Sequence, residues 1–143
     1  MRTLSFVSLV QEHAHECENL VVMCMDFRFH AKIVDVIGHS GYRPFDLVAL
    51  PGGSKSITDE VSREVVFAAI EIGVSVHGVK RVIIVDHIDC RAYGGSEAFA
   101  SPEEEERRHT DALLEASRII REKFPTIEVV PVYTDWSRVR TVD

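Results

Sequence analysis

No apolar run in this chain approaches the length needed to cross a membrane, and no basic-then-apolar segment of the secretory kind opens it. A cytoplasmic protein is the expectation. A basic cluster is missing too: 16 Lys and Arg stand against 23 Asp and Glu, a formal net charge of −7. That balance argues against nucleic acid and against an anionic membrane as partners. Cysteine is scarce. The three present, Cys17, Cys24 and Cys90, cannot all pair, and a reducing compartment would keep them as thiols. Repeats, linkers and low-complexity segments are absent, and 143 residues suit one domain, 1–143, around a single core.

What is present is an alternation of apolar runs and helical periodicity. Strands are expected at 20–25, 46–50, 81–86 and 127–133. Val82 to Val85 is a β-branched run of the type buried on both faces of a parallel sheet. Pro131 removes a ladder donor, which predicts an edge position for the last strand. Helices are expected at 4–15, at 29–37 with Gly38 as stop, at 58–72 with Gly73 as stop, and from Ser101 to Phe124. In the third of these, Val61, Val65, Ala68, Ala69 and Ile72 trace the predicted buried face. In the last, Ser101, Pro102 and Glu104 form a capping pattern, and Glu103 to Glu106 read as a solvated first turn. Strands alternating with helices imply an α/β fold: an open, mainly parallel sheet with helices on both faces.

His87 and Cys90 sit just past the carboxyl end of the third strand, where open parallel sheets place their chemistry. Imidazole and thiolate are zinc ligands. Cys24, at the end of the first strand, supplies a third, and the strand order 2-1-3-4 would bring all three together. Two thiolates and one imidazole leave a fourth tetrahedral position open, as in catalytic zinc. Asp26 and Arg28 follow Cys24 at two-residue steps, an acidic residue and then a basic one. Neither Cys24 nor Cys90 begins the C-x5-R loop of a cysteine phosphatase, and Pro51-Gly52-Gly53-Ser54 is not a dinucleotide fingerprint. Cys17, His13, His15, His30, His39, His77 and His109 find no partner in the pattern and read as surface or packing residues.

C-x-D-x-R after one strand and H-x-x-C after another, followed by Gly94-Gly95, resemble the β-class carbonic anhydrases. The resemblance implies a zinc lyase of the carbonate dehydratase type, with Zn2+ held by Cys24, His87 and Cys90. It implies reversible hydration of carbon dioxide to bicarbonate by hydroxide on the metal. It makes Asp26 and Arg28 the dyad beside the metal: paired with Arg28, Asp26 orients the nucleophile; swung free, it fills the fourth position and closes the site. The amides of Gly52 and Gly53 could hold bicarbonate. A homodimer or tetramer is implied as well. Five features depart from the family pattern; one is that the glutamine usually lining the substrate pocket has no match, Gln11 lying too far upstream. Arg91 stands where glycine usually follows the second cysteine. Ala49-Leu50-Pro51-Gly52 replaces the usual R-N-A-G. The final antiparallel strand and the long N-terminal helical arm are not seen in the sequence. Hydrolysis of carbonyl sulfide or carbon disulfide is the alternative enzyme, and a silent zinc-binding scaffold the alternative without turnover.

Overall fold

The computed structural model describes residues 14–142. Residues 4–13 of the helix expected at 4–15 lie outside the described residues, and Ala14 and His15 are not helical. Five strands and four α-helices follow: β1 Asn19–Met23, α1 His30–His39, β2 Phe45–Ala49, α2 Lys55–Thr58, α3 Glu60–Ile72, β3 Arg81–His87, α4 Pro102–Lys123, β4 Glu128–Thr134 and β5 Val139–Thr141. They build one sheet of order β2-β1-β3-β4-β5. The first four strands run parallel, and β5 is antiparallel to β4.

This order places the site. From β1 the chain turns through α1 to β2 on one side, then crosses back through α2 and α3 to β3 on the other. Right-handed crossovers in opposite directions put α1 on one face and α3 and α4 on the other. Two separate cores result. Ile33 and Ile37 of α1 pack with Val21, Met23, Ile83 and Val85. Val66 and Ile70 of α3 and Leu113, Ala116 and Ile120 of α4 pack with Leu20, Val22, Val82 and Ile84. Each fully buried Val, Leu, Ile or Met side chain among these contributes about 1.5–3 kcal/mol. In the β1–β3 register Met23 lies opposite Val85, so Cys24 emerges beside Asp86 and His87 at the point where the connections diverge.

Four expectations need correction. First, β4 is not an edge, and the antiparallel strand thought missing is present as β5. The Pro131 carbonyl accepts a bond of 2.9 Å from the Val142 amide; proline cannot return it, and the β4–β5 ladder stops there. Second, α3 buries Val66 and Ile70, whereas Val61, Val65 and Ile72 are exposed. Both sets have helical spacing in an unusually apolar helix, so periodicity alone cannot choose between them. Third, the helix does not stop at Gly73. It continues as one wide π turn over Gly73–His77 and ends on left-handed Gly78, φ 76°. Gly38 likewise lies inside α1, which runs on to His39. Fourth, the first turn of α4 is not wholly solvated, because Glu105 is buried. The Ser101 cap forms as expected, accepting from the Glu104 amide at 3.2 Å, while Glu104 reaches back to the Ala100 amide at 2.7 Å.

Candidate metal centre

Cys24, His87 and Cys90 meet at the carboxyl ends of β1 and β3, all three buried. Their candidate ligand atoms lie within 4.8 Å of one another, the one such Cys/His/carboxylate group found among the described residues. The two Sγ atoms are 3.8 Å apart. A tetrahedral zinc with Zn–S bonds of about 2.3 Å requires about the same separation. His87 donates from Nδ1 to the Ile88 carbonyl at 2.7 Å, which fixes the proton on that nitrogen. Nε2 is then a bare lone pair, buried, with no hydrogen-bond partner. Phe29 stacks on the imidazole at 4.3 Å between ring centres and holds its plane. The donor set and the orphaned nitrogen fit a divalent, borderline-soft cation.

Without a metal the three groups share protons unevenly. The Cys90 thiol beside Cys24 holds Cys24 far below the usual thiol range, helped by His87 and by the Gly52 amide, which donates to Cys24 Sγ at 3.3 Å. The same pairing, together with burial, pushes Cys90 up. Burial lowers His87, but the Cys24 sulfur and the Ile88 carbonyl outweigh it, and the net shift is upward.

Asp26 and Arg28 form the pair expected of them. Arg28 Nε bonds both Asp26 oxygens, at 3.0 and 3.1 Å, and Nη2 reaches Oδ2 at 2.6 Å. This fork holds the Asp26 carboxyl at about 2. Asp26 Oδ2 lies 3.9 Å from His87 Nε2, so the carboxylate borders the three-ligand cluster while facing Arg28. Cys24, Asp26 and Arg28 line a cavity of about 470 Å³, together with Met25, Phe27 and Arg91. A larger cavity, about 720 Å³, borders Tyr93 and Arg108 and includes none of these three ligands. Arg91, the residue in the usual glycine position, thus stands in the mouth of the site, paired with Glu97.

Gly52 and Gly53 are also at the site, but their amides are engaged within the protein. Gly52 donates to Cys24, Gly53 to the Leu50 carbonyl at 3.5 Å and Ser54 to Asp86 Oδ1 at 2.7 Å. That leaves this turn without a free row of donors for bicarbonate.

The sequence reading missed a second carboxylate on Arg28. Nη1 bonds Asp89 Oδ2 at 2.8 Å and Nη2 bonds the Asp89 carbonyl at 3.0 Å. Trp136, from the β4–β5 loop, lies under the guanidinium at 5.5 Å. Asp89 itself is left-handed, φ 55°, a conformation that L residues adopt at a cost. Buried Glu105 holds it there, accepting from the Asp89 amide and from Ser96 Oγ, each at 2.7 Å. Extending the α4 stripe backwards from Ile120 through Ala116, Leu113 and His109 reaches Glu105, so helical spacing did carry this signal. Glu105→Ala should leave two donors without their acceptor and lower stability by about 1–3 kcal/mol. Glu105→Gln, which keeps one acceptor oxygen, should cost less. Urea denaturation midpoints measure both, and an unchanged midpoint for Glu105→Ala would remove Glu105 from this role.

A family described as "Putative carbonic anhydrase" matches residues 14–142, nearly the whole chain. The chain belongs to this carbonic anhydrase family. An uncharacterized protein of Rickettsia bellii is 32% identical over 133 residues, covering 86% of this chain and 81% of its own. Among solved structures, the β-carbonic anhydrase isoform I of Trichomonas vaginalis superposes with a TM-score of 0.57 at 15% identity, covering 94% of this chain and 87% of that one. One of the tetrameric β-carbonic anhydrases of Sordaria macrospora gives 0.55 at 19% identity, with coverages of 90% and 81%. At such identities these structures show a shared fold. That fold is the β-carbonic anhydrase one, so the resemblance read from C-x-D-x-R and H-x-x-C holds at the level of family and architecture.

Proposed function

We propose that the chain is a zinc-dependent carbonic anhydrase that converts carbon dioxide and water reversibly to bicarbonate and a proton. The observation that carries this reading is the 3.8 Å thiol pair facing the orphaned His87 Nε2, with Asp26 at the border of the cluster and turned towards Arg28. Cys24, His87 and Cys90 would hold the metal. When bound, zinc supplies Lewis acidity, which makes a nucleophilic oxygen available near neutral pH. Asp26 accepts a hydrogen bond from the nucleophile and so orients it. Arg28, clamped between Asp26 and Asp89, keeps the Asp26 carboxylate out of the coordination space. Met25, Phe27 and Ala92 give the cavity apolar walls suited to a small uncharged substrate, and Arg28 and Arg91 give it cations suited to an anionic product.

Stopped-flow hydration of carbon dioxide by zinc-loaded protein tests the reading. The expected result is a rate well above the buffer blank. Turnover of carbonyl sulfide or carbon disulfide without hydration would move the chain to the hydrolase alternative, and no turnover of any of them would leave a zinc scaffold.

Assembly as a homodimer or tetramer is part of the same proposal. Strand β2 is a sheet edge, its Leu47 is exposed, and α3 and the following turn expose Val61, Val65, Ile72, Val74 and Val76. Light scattering at micromolar concentration should give at least twice the chain mass; a stable monomer would contradict this.

A further inference from the structure

Behind the thiols lies a second buried network. Asp86, Ser54 and His109 are all essentially inaccessible to solvent. Asp86 accepts three hydrogen bonds: from the Ser54 amide at 2.7 Å, from Ser54 Oγ at 2.6 Å and from His109 Nδ1 at 2.8 Å. Tyr93 joins through its hydroxyl, 2.7 Å from Ser54 Oγ. Burial and neighbouring Asp86 push the Tyr93 phenol well above its ordinary range, so it stays protonated and donates to Ser54. Desolvating a carboxylate is costly even when it is paired, and apolar side chains at 86 and 109 would fill the same space more cheaply. What apolar side chains cannot do is fix a backbone N–H.

The network fixes one such N–H directly, that of Ser54, and ties down a turn beside each thiol. The turn before α2 comes so close to β3 that a Cβ on Gly53, φ 55°, would lie 2.4 Å from the Val85 carbonyl oxygen and 2.6 Å from Asp86 Oδ1. Asp86 anchors this turn at Ser54, and two residues earlier the Gly52 amide contacts Cys24 Sγ. On the other side, Tyr93 lies in the 3-10 turn Arg91–Tyr93, and its amide donates to the Cys90 carbonyl at 2.9 Å. His109 closes the network from α4. Its ring packs edge-on against Tyr93 at 4.4 Å, and its Nε2 has no partner among the described residues. The bond to Asp86 is thus the polar contact the imidazole makes.

We propose that His109 is a positioning residue for the metal centre, acting through Asp86 and Ser54 to hold the Gly52 amide on Cys24 and, through Tyr93, the turn that carries Cys90. The proposal rests on the metal-site reading above. The 3.8 Å spacing of the two Sγ atoms would then depend on α4, a helix that contributes none of the three ligands.

Cobalt(II), whose thiolate charge-transfer absorption reports ligand geometry, is the probe, with zinc affinity measured by competition against a chromophoric chelator. His109→Leu should bind zinc about 10- to 100-fold more weakly than wild type and shift the charge-transfer band. His109→Asn, which restores a donor near the Nδ1 position, should recover most of both. Tyr93→Phe removes one hydroxyl and should shift the band with a smaller loss of affinity; it also serves if His109→Leu does not fold. A purely structural role would lower the denaturation midpoint and leave the band in place. Wild-type affinity and an unshifted band in both His109→Leu and Tyr93→Phe would overturn the inference while leaving the metal site intact. Failure of the wild-type protein to bind cobalt or zinc would overturn the metal site and the inference together.

Discussion

Elemental analysis of the purified protein should find close to one zinc per chain, and Cys90→Ser and Cys24→Ser should each lose most of it. The reason is the donor set. Three buried ligand atoms converge within 4.8 Å, two of them sulfur, and a hydroxyl is a poorer partner for this ion than a thiolate. The affinity should depend on pH in a definite sense. The metal-free site keeps a proton on Cys90, whose thiol is shifted upward, and that proton must leave before Cys90 can ligate; as pH falls, His87, also shifted upward, takes a proton on the Nε2 lone pair that would otherwise bind the metal. Zinc binding therefore strengthens as pH rises and weakens as it falls. Full zinc retention in both serine variants would sink the assignment of these ligands.

The sheet and its chemistry were legible in the sequence to different depths. Runs such as Val82–Val85 have one reading, a strand buried on both faces, and β3 is buried from Val82 to His87. The order of the first four strands followed from requiring Cys24 to meet His87 and Cys90. Strand β5 has three residues, too few for a periodic pattern, and depends on a hairpin that no local signal announces. The face of α3 was ambiguous because that helix is apolar on two sides. Residues whose chemistry is set by two-residue spacing, Asp26 and Arg28, could be paired on paper. Glu105 and His109 could not, since their partners Asp89 and Asp86 are 16 and 23 residues away in sequence and are met only once α4 packs on β3. Their polarity on an apolar stripe was the available clue, and reading the glutamates as solvated hid it.

Across pH 6.5 to 9, hydration by the wild-type protein should rise with pH, and Arg28→Ala should lose activity most at the low end without losing zinc. The argument separates charge from position. Asp26 is held at about 2 by Arg28, so it is ionised throughout this range. Removing Arg28 would let its carboxyl return towards the ordinary value of 3.8, still far below pH 6.5, and the carboxylate would remain charged. What changes in Arg28→Ala is therefore where Asp26 sits. Released from the fork, Oδ2 has less than 4 Å to travel to the space beside His87 Nε2, as the 3.9 Å separation shows. There it competes with the nucleophile for one position. Higher pH favours the deprotonated nucleophile, so part of the lost activity should return as pH increases. Asp89 alone cannot prevent this, because it grips Arg28 and not Asp26. Asp26→Asn is the complementary change. It keeps the shape, removes the charge that draws Asp26 to the metal, and turns half of an acceptor-only group into a donor. It should retain zinc and lose about 10- to 100-fold in rate at every pH, with no recovery at the alkaline end. A parallel loss in both variants, independent of pH, would mean that Asp26 orients the nucleophile but does not contend with it. Rates equal to wild type in both, with zinc bound, would remove the dyad from the mechanism.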